Sequence, residues 1–212
     1  MNLTMRRWIA IGGLVFVVLI VLAVTLFSLP GTHGSAATVA NSYAAHKSAV
    51  GVSAYLIAVA VLEGVFYFWY LRDLIGTAEA TKRLATIGFA GALLFAGSGG
   101  LAGGLYWTAY DLVGHAPATT FQTLNAMQND TVAFLLGPGV AIFLIATGAA
   151  LIRSGVLPKW LGWLGLIAGV VAIVLPVALG PYAAGFWILV ASIVMLVHNP
   201  VGRRAASLSS RA

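Results

Sequence analysis

The chain contains no cysteine, which excludes a disulfide framework, a thiolate nucleophile and any cysteine-ligated metal. Charge is scarce as well: Asp, Glu, Lys and Arg make up 8% of the 212 residues, against about 25% in a soluble domain. So few charges cannot cover a surface that faces water. A surface that faces lipid needs none. Catalytic signatures are also missing, with no GxSxG, HExxH, phosphate-binding loop or paired intramembrane aspartates, so neither a serine hydrolase elbow nor a zincin helix is encoded in a readable form.

What the chain has instead is long apolar runs. Hydrophobic residues reach 61% and the mean hydropathy is +1.01. A helix needs roughly 20 apolar residues to cross about 30 Å of hydrocarbon. Residues 8–29, 49–71, 84–108, 131–152 and 160–179 meet that length, and 183–198 forms a shorter sixth run. The run after Arg6 and Arg7 exceeds the roughly 7–15 apolar residues of a cleavable signal, so it reads as a retained helix. The expected fold is a single all-α transmembrane domain over 1–212, a six-helix polytopic bundle.

Charge placement sets the expected orientation. With six spans, one side receives 1–7, 72–83, 153–159 and 199–212. Those segments hold every lysine and arginine except Lys47. The opposite side receives 30–48, 109–130 and 180–182. Basic residues are retained in the cytoplasm, so both termini are expected there, in a multi-pass protein of the cell membrane. The same asymmetry explains a pI near 10.0 with no nucleic-acid partner, because the bilayer itself is the partner. Tryptophans follow the boundaries, with Trp8, Trp69 and Trp160 at the inner one, Trp163 one turn deeper, Trp107 at the outer one and Trp187 about one turn in from it, where an indole keeps its ring apolar and its N–H wet.

Helices in lipid gain contact by close backbone approach through small residues. Gly88, Ala92, Ala96, Gly100 and Gly104 recur every four residues, and Gly165 and Gly169 form a GxxxG pair. Both predict packing within the bundle, with a homo-oligomer through the glycine face as the sharper alternative. Gly137-Pro138-Gly139 predicts a kink or unwound turn, because proline removes an N–H and crowds the preceding turn. Pro176 predicts a second.

Glu63 is the one ionisable side chain well inside an apolar run. A charge there costs at least about 2.5–3.5 kcal/mol, so the carboxyl is expected to be protonated or hydrogen-bonded to a tyrosine. Helical spacing puts Val59, Tyr67 and Tyr70 on its face. Glu63, Tyr67, Tyr70 and Pro138 are therefore the candidate binding residues, set against a plain inter-helix clamp. His33, His46, His115 and Asp111 carry metal-ligating chemistry, but their spacing matches no ligand motif, so neither a metal nor another cofactor is expected. His198, at the end of the last run, suits a helix C-terminus better than haem ligation.

The stretch Ala149-Ala150-Leu151-Ile152-Arg153-Ser154-Gly155-Val156-Leu157-Pro158-Lys159-Trp160-Leu161-Gly162-Trp163-Leu164-Gly165 resembles bacterial membrane proteins of the DUF4386 type. The resemblance implies about six or seven helices and no established activity. Three functions follow from the residues: a non-enzymatic accessory, scaffold or sensor component, which the small-residue packing favours and which would assemble with a membrane-protein partner; a small-solute or proton-coupled transporter or channel with Glu63 in its pathway; and a membrane enzyme acting at the outer face.

Overall fold

The computed structural model describes residues 3–31, 34–174 and 180–197. Eight α-helices account for nearly all of them, and the described residues contain no strand. They are α1 (Leu3–Leu26), α2 (Ala36–Ala45), α3 (Lys47–Ile75), α4 (Glu79–Leu112), α5 (Ala118–Thr131), α6 (Gly137–Ser154), α7 (Lys159–Val174) and α8 (Gly180–Val197), with a π turn at Val132–Leu136 joining α5 to α6. Five helical stretches are long and apolar enough to cross a membrane, and α7 is a shorter apolar helix. Pro176, His33 and His198 lie outside the described residues.

Two expectations change. The segments assigned to outer loops are largely helical: α2 occupies most of 30–48, and 109–130 is spanned by the end of α4 and all of α5. Sequence periodicity hid these helices because they are short or polar and carry no continuous apolar run. The sixth run is also longer than expected, with 18 residues in α8.

Gly137-Pro138-Gly139 does not unwind the chain. Pro138 stands just after the π turn, in a helical stretch that runs on from α5 into α6. The strain is absorbed one turn earlier, in the π turn, whose wider ladder gives room to a ring that would otherwise strike the carbonyl four residues back.

The packing order is α1 against α3, α3 against α4, α4 against α6, α6 against α7, and α8 closing on α1 and α7. Glycines set the closest crossings. A Cβ on Gly91 would meet the Phe143 amide nitrogen at 2.5 Å, and one on Gly139 would meet that of Phe95 at 2.7 Å. The backbones of α4 and α6 therefore touch. The α6–α7 crossing is equally tight, since a Cβ on Gly148 would lie 2.6 Å from the Gly162 carbonyl oxygen, one on Gly165 3.2 Å from the Leu144 carbonyl oxygen and one on Gly169 3.1 Å from the Ile145 amide nitrogen. Gly165 and Gly169 thus face α6 within the chain.

The four-residue repeat of α4 behaves differently along its length. Each step of four residues advances about 40° around a helix of 3.6 residues per turn, so the row drifts. Gly88, Ala92 and Ala96 are buried, Gly100 is half-buried, and Gly104 is exposed with nothing near its missing Cβ. In the C-terminal half of α4, Gly103 takes over, with Ile57 of α3 3.0 Å from a Cβ placed there.

The interior divides into two apolar clusters. The larger draws on α1, α3, α4, α6, α7 and α8, and a run of aromatic rings links four of them: Phe16 of α1 to Phe68 of α3 (5.7 Å), Phe68 to Phe143 of α6 (5.0 Å) and Phe143 to Trp187 of α8 (5.5 Å). The smaller lies at the other end, where Phe27, Tyr43, Tyr106 and Phe121 gather under α2 and α5. Trp187 is consequently not a boundary indole. It is fully buried and donates its N–H to the Leu161 carbonyl at 3.0 Å. Trp8, Trp69, Trp107, Trp160 and Trp163 are exposed, as boundary residues would be.

Gly91→Ala should destabilise the protein by about 1–3 kcal/mol, the usual cost of overpacking, whereas Gly104→Ala should be neutral or slightly stabilising. Thermal unfolding of both variants in the same detergent checks this. Equal melting temperatures would contradict the α4–α6 contact.

Candidate functional site

Among the described residues the only ion pairs are Arg72–Asp73 and Lys82–Glu79, both at the solvent-accessible end of α3 and α4. Glu63 therefore has no cationic partner there. It lies near the middle of α3, half-buried at the edge of the seam with α1. Its carboxyl Oε1 rests directly on the backbone of Gly12, in the space a Cβ would fill. Any larger residue at position 12 would push the carboxyl out of the seam.

The adjacent glycine has the same role for two hydroxyl-bearing side chains. A Cβ on Gly13 would collide with Ser192 Oγ and would lie 2.5 Å from Cε2 of Tyr67. Tyr67 and Ser192 are buried with their hydroxyls near each other, and neither makes a hydrogen bond of full geometry. Orphan polar groups of this kind are uncommon, since leaving one unsatisfied costs about 1–3 kcal/mol. Three helices therefore bring a carboxyl and two unpartnered hydroxyls to the paired glycines of α1. Tyr67 comes from the expected set, whereas Ser192 and Gly12-Gly13 do not. A serine in α8 and two glycines in α1 give no sequence signal that they meet Glu63, because only the tertiary arrangement aligns them.

The other candidates fall elsewhere. Tyr70 is half-buried and packs on the larger core cluster. Pro138 is exposed on α6, a helix that does not form the Glu63 seam, so the proline and the carboxyl share no site. His46 closes α2, with its Nδ1 2.9 Å from the Ser42 carbonyl oxygen, and His115 and Asp111 are exposed. No three metal-ligating residues cluster among the described residues.

A second polar assembly, not expected from the sequence, ties down the end of the bundle under α2 and α5. One face of α5 carries Gln122, Asn125 and Gln128. Their amides donate to the carbonyls of Gly34 (3.1 Å), Pro30 (3.1 Å) and Ala102 (3.1 Å). Gln128 Oε1 in turn accepts the Tyr43 hydroxyl at 2.9 Å. Burial, with Tyr106 nearby as a lesser cause, raises the Tyr43 pKa well above the ordinary phenol value, so its hydroxyl stays a donor. The spacing of the three amides was visible, but their acceptors are backbone carbonyls, which no sequence pattern marks.

Compared with known proteins, the chain matches no family model, no curated protein and no solved structure. Its function must be argued from its own geometry.

Tyr43→Phe would leave Gln128 Oε1 buried without its donor. The expected loss is about 1–3 kcal/mol of stability, read as a lower melting temperature, with Tyr55→Phe, on an exposed side chain, as the neutral control. No difference between the two would show that the Tyr43–Gln128 bond carries no weight.

Proposed function

We propose that the chain is a multi-pass, non-enzymatic membrane component, with both termini in the cytoplasm, that binds a proton at Glu63 and so senses or transmits local acidity. The observation that carries this is the seating of the Glu63 carboxyl on Gly12, midway along a helix long enough to span a bilayer, with no cation beside it among the described residues. A carboxyl held in hydrocarbon has two stable arrangements: neutral, or charged and paired. Without a paired cation, its proton becomes the ligand, and gain or loss of that proton changes how α1, α3 and α8 can pack.

The asymmetry of the basic residues supports the orientation, and the exposed tryptophans near both ends of the long helices support insertion. The likeness of residues 149–165 to DUF4386-type bacterial membrane proteins belongs with this reading and carries no activity of its own. The bilayer is the first partner, and a second copy or another membrane protein is the further partner that an accessory component requires. A transport role is the second reading, favoured by the half-open position of Glu63 on the flank of the bundle.

Infrared titration in lipid tests the central claim. The other acids, Asp73, Glu79, Asp111 and Asp130, are exposed, so one buried-type carboxyl band should change with pH and should vanish in Glu63→Gln. A pH-independent spectrum, or one unaltered in the variant, would overturn the proposal. Proton flux into liposomes separates the two readings: flux above that of empty vesicles, abolished by Glu63→Gln, would favour transport. For orientation, reporter tags at Gly34 and Ala80 should mark opposite compartments.

A further inference from the structure

Glu63 alone accounts for proton binding, but it leaves two buried hydroxyls unexplained. Tyr67 is 1% exposed and Ser192 is 0% exposed, yet neither makes a hydrogen bond of full geometry. Both border Gly13, and Glu63 borders Gly12, the next residue along α1. Tyr67 also follows Glu63 by four residues on α3, which places the two on one helical face with Cβ atoms about 5–6 Å apart. Side chains lean toward the start of their helix, so the Tyr67 ring leans toward the turn that carries Glu63. The phenol thus stands one helical turn from an acceptor on its own helix and shares the Gly13 niche with a hydroxyl of α8.

Resting on the proton-site reading, we infer that Tyr67 is a two-position partner, donating to the Glu63 carboxylate when that group is ionised and to Ser192 Oγ when it is neutral. A carboxylate in a low-dielectric seam requires a hydrogen-bond donor. The elements around it supply no charged partner: α1 from Ile9 to Leu26, α4 from Leu84 to Leu105, α6 from Gly137 to Ile152 and α8 from Ala183 to Val197 contain no titratable or charged residue. On α3, Tyr70 packs on the core, Tyr55 is exposed two turns away, and Lys47, Arg72 and Asp73 lie at the helix ends. A neutral carboxylic acid needs the phenol far less, and Ser192 then becomes its better acceptor. The tyrosine therefore links the charge on α3 to a contact with α8, and the glycine pair of α1 leaves the space in which the phenol can turn. No bond is made or broken in the chain beyond the exchange of hydrogen-bond partners and the proton taken up by Glu63.

The test is the ionised-to-protonated ratio of Glu63 at one fixed pH, measured from the infrared carboxyl bands in lipid. Tyr67→Phe removes the donor and keeps the ring, so the ratio should fall about tenfold, the worth of a hydrogen bond to a charged group. Ser192→Ala removes the competing acceptor, so the ratio should rise, by about threefold or more. The double variant should match Tyr67→Phe, because Ser192 acts only through Tyr67. A fall in Ser192→Ala would make the serine a direct donor and overturn the two-position role, as would an unchanged ratio in Tyr67→Phe. A wild-type spectrum with no titrating carboxyl would remove the proton-site reading and this inference with it. Melting temperatures of the single variants near that of the wild type would show that the shifts report on the site and not on unfolding.

Discussion

Close approach of backbones at glycine is the contact on which the rest of this structure depends. Apolar side chains gain nothing by leaving lipid for one another, so a bundle in a bilayer holds together where atoms fit most densely. The α4–α6 crossing at Gly91 and Gly139 and the α6–α7 crossing at Gly148 and Gly162 bring main chain onto main chain. Those two crossings fix α6 and α7, and the Trp187 N–H on the Leu161 carbonyl then sets α8. With α8 placed, Ser192 arrives at Gly13, and the central polar group becomes a consequence of packing several helices away.

Polar groups meet two different fates in the two halves of the molecule. At the end covered by α2 and α5, each buried amide nitrogen of Gln122, Asn125 and Gln128 finds a carbonyl, and that region is closed by hydrogen bonds as well as by Phe27 and Phe121. At mid-depth the hydroxyls of Tyr67 and Ser192 remain without partners. Among the described residues at the α2 and α5 end, only Asn125 Oδ1 is a buried side-chain oxygen left without a donor, and a network satisfied at nearly every atom makes an arrangement rigid. An unsatisfied one leaves alternatives of similar energy, which is the physical requirement for a group that responds to a proton.

Glycine serves both ends of this contrast. In α4, α6 and α7 its missing side chain is filled by the neighbouring backbone. In α1, Gly12 and Gly13 are filled by a carboxyl, a hydroxyl and a ring. The same residue type thus builds a rigid crossing in one place and a polar niche in another, and the difference lies wholly in what the adjacent helix presents.

The apolar runs, the absence of cysteine and the one-sided placement of lysine and arginine were enough to predict an all-helical chain with spans of membrane length, because hydropathy and length are local properties. Glu63 and Tyr67 were legible for the same reason, being one helical turn apart. The polar α5 was not legible, since its stability comes from carbonyls supplied by Pro30, Gly34 and Ala102. Nor was the fate of Gly104, which the drift of a four-residue repeat carries to the surface, or of Trp187, whose indole looked suited to a boundary until α7 provided an acceptor. The sequence alone determined which segments are helical and apolar and which carboxyl is isolated among them. Only the tertiary structure decided which glycines face a partner and which side chains meet that carboxyl, because those depend on the rotation of each helix about its axis, and that rotation is set by contacts between residues far apart in the chain.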